Sequence, residues 1–160
     1  MAEPRPVRVR VNGQPRIGLA EPRLLLADFI RHELGLTGTH VACEQGACGA
    51  CTVLLDDRIA LSCLVLAVQA DGSDIDTVEG LAAGGELHPI QEAFRAKHGL
   101  QCGFCTSGML LATRALLAAR PDQTDDEIRE YLSGNVSRCT GYVGIVAAVR
   151  EAARTLREPA

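Results

Sequence analysis

The sequence predicts an α+β fold in two parts, a small mixed domain followed by an all-α four-helix bundle. Three observations predict it. Alternating apolar residues broken by turn dipeptides fill the first half, and apolar residues at helical spacing fill the second. Between them Glu79 to Gly85 forms a connector of small residues. The expected domains are therefore 5–80 and 81–158, each able to bury only a modest core.

In the first half, Val7, Val9 and Val11 alternate with Arg8 and Arg10, the period of a half-buried strand. Asn12-Gly13 follows, a hairpin turn whose residues both tolerate positive φ. A return strand is expected over Arg16 to Leu19, with Pro15 and Pro22 as punctuation. Leu24 to Leu34 reads as a helix with Leu26, Phe29, Ile30 and Leu34 on one stripe and Gly35 closing it. Thr37 to Cys51 is a Gly- and Cys-rich loop without periodicity. Thr52 to Leu55 and Ile59 to Leu61 flank Asp56-Asp57 as a second hairpin, and Ile75 to Val78 supplies a last strand. This order suits a domain of the β-grasp type.

Four helices are expected after the connector. His88 to Lys97 ends at His98-Gly99. Thr106 to Arg120 carries Met109, Leu110, Leu116 and Leu117, and Pro121 stops it. Thr124 and Glu127 bracket a capping box, after which Ile128, Tyr131 and Leu132 form a buried face ending at Gly134. Ile145, Val146, Val149, Ala153 and Leu156 keep helical spacing to the C-terminus. Short amphipathic helices joined by tight turns make a small bundle.

Composition excludes some functions. A net charge of −4 offers no basic patch for phosphates, and a chain without Trp and with few aromatics offers no stacking platform for bases. No nucleic-acid partner is expected. No apolar run approaches the roughly 20 residues of a membrane span. The N-terminus lacks the apolar stretch of a secretory signal, so the expectation is a soluble, cytoplasmic protein.

Seven cysteines carry the chemistry: Cys43, Cys48, Cys51, Cys63, Cys102, Cys105 and Cys139. An odd number without a signal peptide fits a disulfide framework poorly. The first four follow C-x4-C-x2-C-x11-C, beginning with the plant-type ferredoxin spacing. A [2Fe–2S] cluster needs four soft anionic thiolates, and the loop between them holds Gly46, Ala47, Gly49 and Ala50. Such small residues let backbone amides approach and hydrogen-bond the sulfurs.

Other readings compete. Cys48, Cys51, Cys102 and Cys105 could form one zinc site, giving a zinc-stapled interaction module or, with iron, a non-catalytic sensor. That pairing leaves Cys43 and Cys63 without a role. Cys102-Gly103-Phe104-Cys105 at a helix start could be a thioredoxin-like redox pair, but no βαβ pattern surrounds it. Cys139, in the Gly-flanked loop Arg138 to Tyr142, could instead close with it on a second cluster. His40 lies three residues before Cys43, yet a Rieske-type site needs two histidines on one iron. His32, His40, His88 and His98 read as surface or structural, and the acidic run Asp122 to Glu130 as a cap and solvated face.

The run Cys43-Glu44-Gln45-Gly46-Ala47-Cys48-Gly49-Ala50-Cys51-Thr52-Val53 resembles the ferredoxin-type motif of the xanthine dehydrogenase and carbon monoxide dehydrogenase family, the molybdenum hydroxylases. Gln101 to Thr106 and Gly134-Asn135 through Arg138-Cys139-Thr140-Gly141-Tyr142 resemble the motifs of its second cluster domain. The match runs in order from about Val7 to Arg154, as in the family's small iron–sulfur subunit.

The resemblance implies a plant-type ferredoxin-like domain followed by a helical [2Fe–2S] domain, with two clusters in this chain. It implies a large subunit holding molybdopterin, in the cytosine dinucleotide form, that hydroxylates substrate with oxygen from water. A medium subunit would hold FAD, and the assembly would be a dimer of heterotrimers. Electrons would pass from the pterin to the helical-domain cluster, then to the ferredoxin-like cluster, then to FAD. Cys102, Cys105 and Cys139 would serve the cluster nearest the pterin, with Cys139 on the bridge and Gln101 hydrogen-bonded to the cofactor. As an ordinary residue Gln101 would be a helix-capping side chain. The substrate pocket would lie in another chain.

The chain departs from the family pattern at one place. Where a cysteine is expected two residues before Cys139, Ser137 stands, and no spare cysteine replaces it. An alkoxide on iron, three cysteines with water or another side chain, and an empty site are the alternatives. The expectation is an intact cluster with Ser137 at or close to iron, because the surrounding motif is otherwise complete.

Overall fold

The computed structural model describes residues 3–82 and 84–157. Among these residues five strands form one mixed sheet: β1 (Arg5–Val11), β2 (Gln14–Ala20), β3 (Thr52–Leu55), β4 (Arg58–Leu61) and β5 (Asp74–Asp76). Their order is β2-β1-β5-β3-β4, with β1 parallel to β5 and all other neighbours antiparallel. Both hairpins turn through two left-handed residues, Asn12 (φ 51°) with Gly13 (φ 76°) and Asp56 (φ 49°) with Asp57 (φ 61°). That geometry matches the right-handed strand twist. Pro15 sits at an edge because β2 is the outermost strand, where a missing donor is tolerated.

One face of the sheet is apolar. Val7, Val9 and Val11 pack with Val53, Ile75, Phe29 and Ile30 into one buried cluster. The helix expected over Leu24 to Leu34 is shorter. Leu25 is extended and bridges to Leu66, and Leu26 donates to the Val65 carbonyl, so this backbone belongs to a strand-like contact. The helix α1 (Leu26–Asp28) then widens at once into a π-helical turn over Phe29–Glu33. There the Leu34 amide reaches the Phe29 carbonyl at 3.0 Å, five residues back. Phe29 and Ile30 are fully buried by this arrangement.

The last strand also ends early. Asn12 captures Thr77 by two bonds of 2.9 Å, one to its amide and one to its hydroxyl. Val78–Gly80 consequently coils into a 3-10 turn instead of extending the strand.

The second half contains α2 (Pro89–Ala96), α3 (Thr106–Ala119), α4 (Asp125–Tyr131) and α5 (Val143–Arg157). The capping box forms as expected, with the Glu127 amide on Thr124 Oγ1 and the Thr124 amide on Glu127 Oε2. Ile90, Phe94, Met109, Leu111, Leu116, Ile128, Ile145 and Val149 build a second buried cluster. Two expected core residues are not in it. Tyr131 is 40% exposed at the end of α4, and Leu156 is 47% exposed. Leu156 lies in the last turn of the 15-residue α5, at the edge of a groove it shares with His88, Ile90 and Leu117.

The halves pack together through α3, which lies against β3. The Arg114 guanidinium of α3 pairs with Asp76 of β5 at 2.9 Å. This contact brings the start of α3, and with it Cys105, against the cysteine loop of the first half.

Candidate metal centres

The loop before β3 carries Cys43, Cys48 and Cys51. It winds through left-handed residues at Glu44 (φ 52°), Gly46 (φ 75°) and Gly49 (φ 71°), which turns successive amides inward. Such a nest of N–H groups stabilises anionic sulfur. At Cys43 the Gln45 amide, then the Cys48 thiol and the Ala47 and Cys48 amides, pull the thiol down to about 6, against burial. Cys63 comes from the 3-10 turn Ser62–Leu64 after β4. Ser62 fastens that turn to the loop by donating its hydroxyl to the Cys51 carbonyl at 2.7 Å. Burial and the neighbouring Cys51 thiol push Cys63 up to about 11.

These thiols meet in two pairs, Cys43 with Cys48 and Cys51 with Cys63. Two pairs side by side are what two irons bridged by inorganic sulfide require.

A second group lies at the start of α3. Cys102 and Cys105 flank Gly103 (φ 84°), and Cys105 is the residue on which α3 begins. Cys139 arrives from the loop before α5, its Sγ 3.5 Å from that of Cys102. Gln101 clamps that loop, donating Nε2–H to the Cys139 carbonyl at 2.8 Å. The Phe104 amide and then the Cys139 thiol lower Cys102. Cys102 therefore pairs with Cys139 rather than with Cys105, which does not suit a thioredoxin-like couple.

Ser137 is only 6% exposed in the same loop. Its amide donates to the Tyr142 phenol oxygen at 2.9 Å. The Tyr142 amide donates to Thr140 Oγ1 at 3.2 Å, and Thr140 Oγ1 in turn donates to Ser137 Oγ at 3.0 Å. These bonds hold Tyr142 at φ 66°, a conformation that is costly for a bulky side chain.

The donor set fits iron–sulfur clusters better than zinc. A zinc ion draws its four ligands to one point. The four cysteines of the zinc alternative are divided between the two centres, Cys48 beside Cys43 and Cys102 beside Cys139. All seven thiols are free.

Two residues that sequence reasoning left without a role join the centres. His40 Nδ1 lies 2.8 Å from the Phe104 carbonyl, and its ring stacks on Phe104 with centroids 4.8 Å apart. Asn135, 8% exposed, donates Nδ2–H to the Gly49 carbonyl at 2.9 Å. Here the backbones touch. A Cβ on Gly49 would sit 2.4 Å from the Gly134 carbonyl, and one on Gly108 would sit 2.2 Å from the Gly49 carbonyl. Only the position of Asn135 in the quoted motif could have drawn attention to it. For His40 the sequence holds no comparable signal.

Comparison with known proteins agrees with this geometry. Residues 9–82 match the 2Fe-2S iron-sulfur cluster binding domain, and residues 77–150 match a second [2Fe-2S] binding domain. The chain is 52% identical over 152 residues to the caffeine dehydrogenase subunit gamma of a Pseudomonas species, covering 93% of this chain and 91% of that subunit. It is 51% identical to the nicotine 6-hydroxylase small subunit of Paenarthrobacter nicotinovorans, covering 91% and 88%. A chain of quinoline 2-oxidoreductase from Pseudomonas putida 86 superposes with a TM-score of 0.95 at 49% identity, covering 98% of both chains. In the aldehyde oxidoreductase of Desulfovibrio desulfuricans the same fold (TM-score 0.91, 38% identity) occupies 17% of a longer chain. The protein belongs to the small [2Fe–2S] electron-transfer subunits of the molybdenum hydroxylases, the xanthine dehydrogenase family.

Proposed function

We propose that this chain relays electrons from a molybdopterin centre in a large partner subunit to FAD in a medium one, entering at the Cys102/Cys139 side and leaving from the Cys43 side. One observation carries the reading. The Val136 amide donates to the Cys48 carbonyl at 2.9 Å, so the loop of one centre is hydrogen-bonded to a residue of the other. Bound [2Fe–2S] clusters supply one-electron stations, and the residues supply their spacing and a short bonded route between them.

Cys43, Cys48, Cys51 and Cys63 hold the first cluster, and Cys102, Cys105, Cys139 and Ser137 the second. The exposure of Cys102 and Cys139 supports entry at that face. Leu100, Phe104, Val136, Tyr142 and Val143 rim it as exposed apolar residues, the composition of a covered interface. Gln101, exposed and beside Cys139, keeps its Oε1 for a donor on the pterin, in the cytosine dinucleotide form. The division into 5–80 and 81–158 belongs to the same proposal and is supported by two separate apolar clusters. Position 158 itself lies outside the described residues. The assembly is a cytoplasmic dimer of heterotrimers. Among the described residues no helix is long and apolar enough to cross a membrane.

Purification of the complex under anaerobic conditions tests this. About four irons and four acid-labile sulfides per chain are expected, from four ligands per cluster at two sites, with molybdenum and flavin chains in company. Recovery of the chain alone, colourless and free of iron, overturns it.

A further inference from the structure

We propose that Ser137 binds the second cluster through Oγ as an alkoxide, and that this confines the reducing electron to the iron held by Cys102 and Cys139. The inference rests on the two-cluster relay.

The hydrogen-bond direction supports it first. Thr140 Oγ1 accepts the Tyr142 amide and lies 3.0 Å from Ser137 Oγ, to which its own proton can be donated. An oxygen that receives a directed donor is prepared to carry negative charge. The Ser137 amide is anchored on the Tyr142 phenol oxygen, which fixes the backbone from which Oγ projects.

Pairing supports it second. The first centre sorts its thiols two by two, and in the second the sulfurs of Cys102 and Cys139 lie 3.5 Å apart. If those two share one iron, Cys105 and Ser137 take the other. Ligation forms an Fe–O bond and breaks the Ser137 O–H bond, releasing the proton to solvent. A one-electron donor then converts one ferric ion to ferrous without changing any ligand.

Donor chemistry decides which ion. Alkoxide oxygen is harder than thiolate sulfur and favours the ferric state, while soft thiolates suit the ferrous state. The electron would therefore reside on the iron with thiolate ligands only, and those ligands, Cys102 and Cys139, are exposed whereas Ser137 is buried. The substitution also lowers the potential of this cluster below that of an all-cysteine one. A lower potential at the second centre favours transfer from it to the first.

The test is a redox titration followed by EPR, with Mössbauer spectra of the one-electron-reduced full chain and of Ser137→Cys and Thr140→Val. Ser137→Cys should keep the iron content and raise the second-cluster potential by at least tenfold in the reduction equilibrium, about 59 mV for one electron. Thr140→Val, which removes a donor from the oxygen, should lower it. The wild type should show one ferrous site of purely thiolate character. An unchanged potential and spectrum in Ser137→Cys, with both clusters present, overturns the ligation and leaves the relay standing. A wild-type chain that binds only the first cluster overturns the ligation and the second station of the relay together.

Discussion

Asn135 Nδ2 and the Gly49 carbonyl meet at 2.9 Å across a separation of 86 residues, inside the seam where the two cysteine loops touch. The same Nδ2 lies 3.3 Å from Thr52 Oγ1, whose hydroxyl also serves Gly49. One amide thus braces the first loop from the second. Asn135→Ala should destabilise the protein by about 1–3 kcal/mol, the range for breaking a buried hydrogen bond. It should also weaken the magnetic coupling between the two reduced clusters seen by EPR, because the bond beside it, Val136 to Cys48, loses its neighbour. Equal denaturant midpoints and equal coupling in variant and wild type would show that Asn135 positions nothing.

Such long-range ties mark where sequence reading runs out. Asn12-Gly13 and Thr124 with Glu127 announced their structures because each motif satisfies its own backbone within four residues. The thiols drew attention because cluster chemistry demands their number and spacing. His40 and Asn135 were not, since their partners Phe104 and Gly49 lie far away along the chain and either residue is ordinary on its own. The helical stripe through Leu156 named a face but not how much of its last turn stays exposed. Likewise the stripe Leu26, Phe29, Ile30 survives in a π-helical turn, because burial constrains the direction of side chains more than the pitch of the backbone.

Removal of iron should loosen both loops and little else. The loop through Glu44, Gly46 and Gly49 and the loop through Gly141 and Tyr142 contain left-handed residues and no regular secondary structure. Clusters bound there would contribute folding free energy locally. Hydrogen exchange after anaerobic chelation should show lost protection over residues 43–51 and 137–142, while β1, β2 and α5 stay protected. Undiminished protection in both loops would mean that metal does not organise them.

Acid should weaken the start of α2. His88 Nδ1 accepts the Ile90 amide at 3.2 Å, and the His88 amide donates to Gln91 Oε1 at 2.9 Å. Burial first, and then the Arg114 charge, lower the His88 pKa below its ordinary 6.5. Asp76, which pairs with Arg114, is the acidic group facing that cation. A depressed histidine favours the fold while neutral. Its contribution is present above the unfolded value and is lost as pH falls from about 6.5 toward the lower folded value. Protonation also removes the lone pair that caps the helix, worth about 0.5–1 kcal/mol. The urea midpoint should therefore drop between about pH 8 and about pH 5.5, and His88→Asn, a cap that does not titrate, should flatten that part of the slope. A slope identical in both proteins would remove His88 as its source.

Assembly should be separable from folding at Val143. It is 79% exposed, begins α5 and stands beside the loop of Cys139 among the apolar residues of that rim. A carboxylate at a helix N-terminus interacts favourably with the helix dipole, so Val143→Asp should leave the thermal midpoint and iron content of this chain as they are. In the complex the same carboxylate would be buried without a partner, a cost of several kcal/mol if the face is fully covered. The molybdenum subunit should then bind at least about a hundredfold more weakly, each factor of ten corresponding to about 1.4 kcal/mol. Co-purification and sedimentation of the wild-type and variant complexes give the comparison. If Val143→Asp assembles as tightly as the wild type, this rim is not where the partner docks, and electron entry must be sought on another face of the chain.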